Sequence, residues 1–300
     1  MESQLIAPWI AFTLLAALMQ TVRTAGQKRM AGSLSPMAAT TARYLFGLPF
    51  AVAYLLLFAS DEPVSATRAA LGSIRFIGYA ALAGLAQILA TYWLIRLLTL
   101  RNFAIGTVFS KTEVILTAVL GSIFFAASLP GAGWIAVLVG TAGVLMLAAP
   151  SNSLKLEPHS LTLGLLAGLG FALTALWLRA ASISLQGSPV EAAAVTLVCT
   201  VALQSLVCVV YLAWAERQQL ARLARELPLG LFIGVTSVLG SIGWYTAMTY
   251  QEAALVRALG QIELIFALLL GRFWFGERLS PREIAGLALV TACVVTLLLL

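Results

Sequence analysis

Apolar stretches of about twenty residues follow one another along nearly the whole chain, separated by short polar gaps, and this pattern constrains the fold more than any other feature. A helix needs roughly 20 apolar residues to cross the hydrocarbon core of a bilayer. Inside that core each backbone N–H and C=O must find its partner within the protein, so runs of this length are helices. Only 10% of the 300 residues are charged, against about 25% in an ordinary soluble domain. A soluble fold could not cover so much apolar surface. The chain reads as an all-α, multi-pass integral membrane protein.

Ten transmembrane helices are predicted, over 6–27, 36–59, 73–98, 102–125 and 131–149, then 161–182, 189–214, 228–249, 254–275 and 281–300. The first run follows a stretch with Glu2 and no Lys or Arg, so it reads as a retained helix and not a signal peptide. The longest gaps, near 60–72, 150–160 and 215–227, are too short for a folded soluble domain. No GxxxxGK[ST] phosphate loop occurs, which disfavours ATP-driven transport. The 18 basic residues outnumber the 12 acidic ones but are scattered among the gaps, a membrane-orientation signal and not a nucleic-acid surface.

His159 is the only histidine and Asp61 the only aspartate, both in polar gaps. Intramembrane prenyltransferases need Asp-rich diphosphate sites, and intramembrane proteases of the rhomboid or zinc type need a histidine at membrane depth. An enzyme is therefore disfavoured, and no metal or cofactor is expected. Cys199, Cys208 and Cys293 lie in apolar segments without CxxC spacing and read as filler.

Sliding the chain on itself by 150 residues aligns Gly84 to Pro150 with Gly234 to Leu300 without a gap, pairing Gly84 with Gly234 and Glu113 with Glu263. At an offset of 153, Ser35-Pro36 corresponds to Ser188-Pro189, each a helix start with proline in the first turn. Residues 1–150 then form a first five-helix repeat and 151–300 a second. Because five is odd, the second enters the membrane inverted, which is the plan of many secondary transporters, with a central cavity between the repeats. Gly84 and Gly234 are expected to be structural, and small residues at four-residue spacing, such as Gly230 and Gly234, permit close helix approach in lipid.

Two segments resemble the EamA-type members of the drug/metabolite transporter superfamily: Leu34-Ser35-Pro36 leading to Arg43-Tyr44, and Gly276-Glu277-Arg278-Leu279-Ser280 followed by Ile284-Ala285-Gly286. The resemblance covers essentially the whole chain. It implies a cavity lined mainly by helices 1, 3, 4, 6, 8 and 9 and gradient-coupled movement of small metabolites, often export of amino acids or drugs across the inner membrane. Glu113 and Glu263 depart from it, since many relatives place an apolar residue or proline there.

Ionisable groups at membrane depth are costly and usually face a cavity or a partner. Arg43 lies about two turns into the second helix and is read as a helix clamp first and a carboxylate ligand second. Glu113 and Glu263 are the candidate coupling residues, flanking the site as repeat mates, with fixed interhelix pairing as the alternative. Glu113 shares a face with Ser110 and Thr117, and Glu263 with Gly260 and Ala267. Lys111 points elsewhere than Glu113, to substrate or to Glu191 or Glu263. Gln20, Arg23, Gln87 and Gln261 supply hydrogen-bonding groups, and Trp177, Trp244 and Tyr245 could stack on a ligand or serve as packing.

The expected function is a secondary active exporter of a small metabolite by alternating access, with the bilayer and a small-molecule substrate as partners and proton coupling through a glutamate. An uptake carrier of the same fold is the alternative within this class, and a channel the alternative outside it. Twelve basic residues fall in the gaps after helices 1, 3, 5, 7 and 9, against Arg68, Arg75, Arg179 and Arg257 on the other side. By the positive-inside rule both termini are then outside, whereas the resemblance places both in the cytoplasm.

Overall fold

The computed structural model describes residues 7–59, 61–100, 112–148, 158–266 and 281–298. The first half contains α1 (Pro8–Met30), α2 (Pro36–Leu45), α3 (Leu48–Tyr54), α4 (Pro63–Gly72), α5 (Ile74–Leu100), α6 (Glu113–Phe124) and α7 (Gly131–Ala148). The second contains α8 (Pro158–Ile183), α9 (Pro189–Ala215), α10 (Arg217–Arg225), α11 (Leu227–Tyr250), α12 (Ala253–Leu259) and α13 (Pro281–Leu298). Among the described residues, five helical stretches are long and apolar enough to cross a membrane: Pro36–Phe58, Ile74–Thr99, His159–Ile183, Pro189–Ala215 and Leu227–Tyr250. Trp214, 86% exposed near the end of α9, stands where an interfacial aromatic belongs.

Local sequence explains the helix starts. Proline occupies the first turn of α1, α2 and α9, where its missing N–H costs nothing. The hydroxyls of Ser35 and Ser188 accept from the backbone N–H of Ala38 and Glu191 at 3.1 and 3.2 Å, satisfying a donor that each helix leaves over.

The structure corrects three expectations. The span predicted over 36–59 is one crossing stretch but not one regular helix: α2 stops at Leu45, α3 begins at Leu48 with Pro49 in its first turn, and Leu55–Ala59 winds as a π turn. Pro49 cannot donate to the preceding turn, which is the reason for the break. The gaps near 60–72 and 215–227 hold α4 and α10. In α10 the apolar Leu220 and Leu223 pack on the protein while Arg217, Arg222 and Arg225 complete a basic face, so this short helix is amphipathic and not a loop.

Helices pair across the two halves of the chain. α1 packs along α11, α5 along α8, α7 along α13, α2 beside α9 and α6 beside α12. Moving each helix by the 150-residue repeat exchanges the first two pairs and returns α7–α13 and α2–α9 to themselves, while the images of α6 and α12 fall largely outside the described residues. α1 and α11 run antiparallel: Ile233 of α11 lies by Gly26 of α1, Gly240 by Met19, and Gly243 by Phe12. The α2–α9 pair is also antiparallel. Ser35, at the start of α2, donates its hydroxyl to Glu216 and its backbone N–H to Gln219 (3.2 Å), both just beyond the end of α9.

Glycine makes these approaches possible. A Cβ on Gly243 would lie 2.4 Å from the Phe12 carbonyl oxygen, and one on Gly234 would lie 2.5 Å from the Phe46 carbonyl. Gly84 is different, since a Cβ there would first meet Gln204 at 3.5 Å, an ordinary contact.

Candidate functional site

Five side chains, Gln20 half-buried and the other four buried, form one chain of contacts between helices. Glu113, first residue of α6, ion-pairs with Arg257 of α12 at 3.6 Å. The Arg257 guanidinium lies 4.5 Å from the centre of the Trp244 ring on α11, within cation–π range. Trp244 Nε1 donates to Gln20 Oε1 on α1 (3.0 Å), and Gln20 Nε2 donates to Glu263 Oε2 at 2.6 Å. An indole N–H can only donate and a carboxylate oxygen accepts, so the two neighbours fix which way the Gln20 amide points. Glu113, Arg257 and Glu263 are 5%, 6% and 6% exposed.

Local sequence prepares this arrangement. A Cβ on Gly260 would fall 2.3 Å from Trp244 Cη2, so only glycine leaves room for the indole. The Gly260–Ile262 turn is wound as a 3₁₀ segment ahead of Glu263, the kind of mid-helix tightening that often marks a hinge. Behind the site, Arg179 of α8 donates to the carbonyls of Met248 and Gln251, both at 2.7 Å, and ion-pairs with Glu252 at 2.9 Å. These carbonyls close α11, so Arg179 holds the bend between α11 and α12 on which Trp244 and Arg257 depend.

A second polar cluster lies beside the first. Arg43 Nη1 donates to Thr91 Oγ1 at 3.2 Å and its guanidinium lies 5.2 Å from the Tyr44 ring centre. Tyr44 donates to the Gln87 carbonyl at 3.2 Å. Gln204 Nε2 donates to Gln87 Oε1 at 2.7 Å and to the Gly84 carbonyl at 3.1 Å. The hydroxyls of Thr200 and Tyr245 share a hydrogen bond of 2.8 Å. The clusters are electrostatically connected: Arg23 interacts with Arg43, Arg257 and Glu263, and Tyr245 with Arg43 and Arg257.

The sequence model of the EamA-like transporter family matches residues 7–149 and again 159–299. The chain belongs to the EamA-like transporter family. One crystal structure, among 27 chains of solved structures that match, aligns with a TM-score of 0.70 at 15% identity. The alignment covers 96% of this chain and 95% of the other, and at that identity it shows the fold alone. No curated protein matches the sequence significantly.

In this EamA-like chain the structure brings Gln20, Glu113, Trp244 and Glu263 together, with Arg23 near them and Gln87 and Tyr245 in the adjoining cluster. It separates Gln261, which is 1% exposed and faces Gly140 of α7. Trp177 is half-buried against the main core, with no hydrogen bond to either cluster among the described residues. Lys111, Ser110 and Ala267 lie outside the described residues.

Sequence reasoning missed Arg257 and Arg179, counting both as loop charges that orient the protein. Arg257 is buried in the site and Arg179 is held at a helix end, so neither belongs in a positive-inside count, and neither does the buried Arg23. The signal was available for Arg257, because it falls inside the predicted ninth helix. Nothing local in the sequence names Glu113 as its partner.

Proposed function

We propose that this EamA-like transporter is a secondary active exporter of small metabolites, such as amino acids or drugs, that works by alternating access in the cell inner membrane. The observation that carries the reading is the chain of contacts from Glu113 through Arg257, Trp244 and Gln20 to Glu263. Charges among apolar helices cost several kcal/mol unless they serve a pathway or a partner. Here every link joins a different helix, so the contacts that close the site are ones that helix movement would break and remake.

Residues 1–150 and 151–300 act as the two inverted five-helix units on this proposal. The pairing of α1 with α11 and of α5 with α8, each the repeat image of the other, supports that division. Rocking of one unit against the other would expose the site to the two sides alternately. Gln20, Arg23, Gln87, Trp244 and Tyr245 are assigned to substrate contact. The ion-paired Glu113 is assigned to holding α6 on α12, and Glu263, which accepts from Gln20, to proton coupling. Arg43 is a clamp between α2 and α5.

Proteoliposomes holding the purified chain test the reading. Substrate counterflow and flux driven by an imposed pH gradient are measured for the wild type, E113Q and E263Q against an amino-acid and drug panel. E263Q is expected to keep counterflow and lose proton-driven flux. Absence of any counterflow across the panel would count against transport of these substrates, and proton-driven flux intact in both variants would remove coupling from the glutamates. Comparing inside-out with right-side-out vesicles reads the direction.

A further inference from the structure

Among the described residues, charge does not balance in the buried site. Arg23, Arg43 and Arg257 are 3%, 4% and 6% exposed, whereas Glu113 and Glu263 are the buried carboxylates among the described residues. The partners are unequal too. Glu113 takes Arg257, and Arg43 has a neutral hydroxyl and an aromatic ring. Arg23 makes no ion pair or hydrogen bond among the described residues, and its Nε is buried without a partner.

A guanidinium carries five donors and stays charged, and burying one unpaired costs more than any packing its stem provides. Such a group is retained in a site where something of opposite charge arrives. Arg23 lies on α1, one turn from Gln20, which binds Glu263 and Trp244. It is also within electrostatic reach of Arg43, Arg257 and Glu263. The unpartnered Nε and the net positive charge of the described residues therefore lie beside the proposed transport site.

We infer that the substrate enters this site through an anionic oxygen group, a carboxylate, received by Arg23 with Arg43 behind it. This deepens the transport reading and rests on it for the location of the site. A planar guanidinium matches a carboxylate through two parallel hydrogen bonds, and the neutral amide of the same molecule lacks the charge that the site leaves uncompensated. Glu113 and Glu263, already engaged, would repel a second anion, which limits the site to one carboxylate per substrate.

The full chain in detergent is melted alone and with acid and amide pairs: acetate and acetamide, benzoate and benzamide, L-leucine and L-leucinamide, L-phenylalanine and L-phenylalaninamide. Inorganic phosphate is a further arm. At least one acid is expected to raise the melting temperature with an apparent affinity about ten-fold or more above its amide, the ratio that a charge-assisted bond supplies. R23M is expected to melt no lower than the wild type without ligand, because it removes an unpaired buried charge, and to lose the acid's advantage; R23K keeps part of it. The inference is overturned if amides protect as well as acids, if no acid protects, if phosphate alone protects, or if R23M, once inserted, keeps the acid's advantage. Should R23M fail to insert, the acid-to-amide ratio in the wild type decides. Flux separates the two readings: acid-selective binding without transport sinks the exporter and keeps the carboxylate site, and equal transport of acid and amide does the reverse.

Discussion

Replacing Arg257 with Met strands Glu113 in the protein interior, and the structure sets the size of the effect. The two charges are 3.6 Å apart, with side chains 6% and 7% exposed. Their gross attraction is about 4–5 kcal/mol at an effective dielectric constant of 20, most of it cancelled in the wild type by the desolvation of both groups. Removing one partner leaves the desolvation of the other uncompensated, which typically costs about 3–5 kcal/mol. At 3.6 Å the fork of Arg257 is not seated on the carboxylate as a bidentate hydrogen bond, so the lower end, about 3 kcal/mol, is expected. R257M also forfeits the contact with the Trp244 face, worth about 1–2 kcal/mol when desolvated. E113Q should cost about 2–3 kcal/mol, and the double variant no more than R257M alone, giving a coupling energy of about 2–3 kcal/mol. SDS titration in mixed micelles, followed by tryptophan fluorescence, measures all four proteins. A coupling below about 0.5 kcal/mol would refute the claim that this pair fastens α6 to α12.

The two repeat-related glycines should behave differently: G234A is expected to cost about 1–3 kcal/mol through its clash with the Phe46 backbone. G84A should stay within about 0.5 kcal/mol, and melting temperatures of the purified proteins check both. R43A should lower the yield of folded protein in the membrane while R43K is partly tolerated, since Lys keeps the charge but not the fork; size-exclusion profiles decide, and a normally folded R43A would transfer Arg43 to ligand binding. E252Q should loosen the α11–α12 bend held by Arg179, lowering the melting temperature by a few degrees, an effect of about 1 kcal/mol. A cytoplasm-only reporter on the C-terminus fixes orientation. The basic face of α10, with Arg217, Arg222 and Arg225, predicts that the α2–α1 and α9–α11 turns are cytoplasmic, so a reporter that lights up at the C-terminus contradicts that assignment of α10.

Much of the architecture was legible in the sequence because it follows from local chemistry. Apolar length forces membrane helices, and Ser-Pro pairs start α2 and α9 through a hydroxyl cap and a donor that is not missed. The repeat displayed Glu113 and Glu263 as a pair, and composition alone made each of them costly and hence a site candidate. Which partner each carboxylate takes was decided elsewhere. Arg257 meets Glu113 across 144 positions of chain, and Gln20 meets Glu263 across 243, separations at which helix rotation and crossing angle set the contact. Periodicity reports which face of a helix is apolar, but in an all-apolar helix no face is marked, so the sequence could not say that Gln261 turns toward Gly140 while Glu263 turns toward Gln20. Only close packing of α1 on α11, permitted by glycines that bring backbone against backbone, fixes those rotations and leaves Arg23 buried among charges it does not pair with.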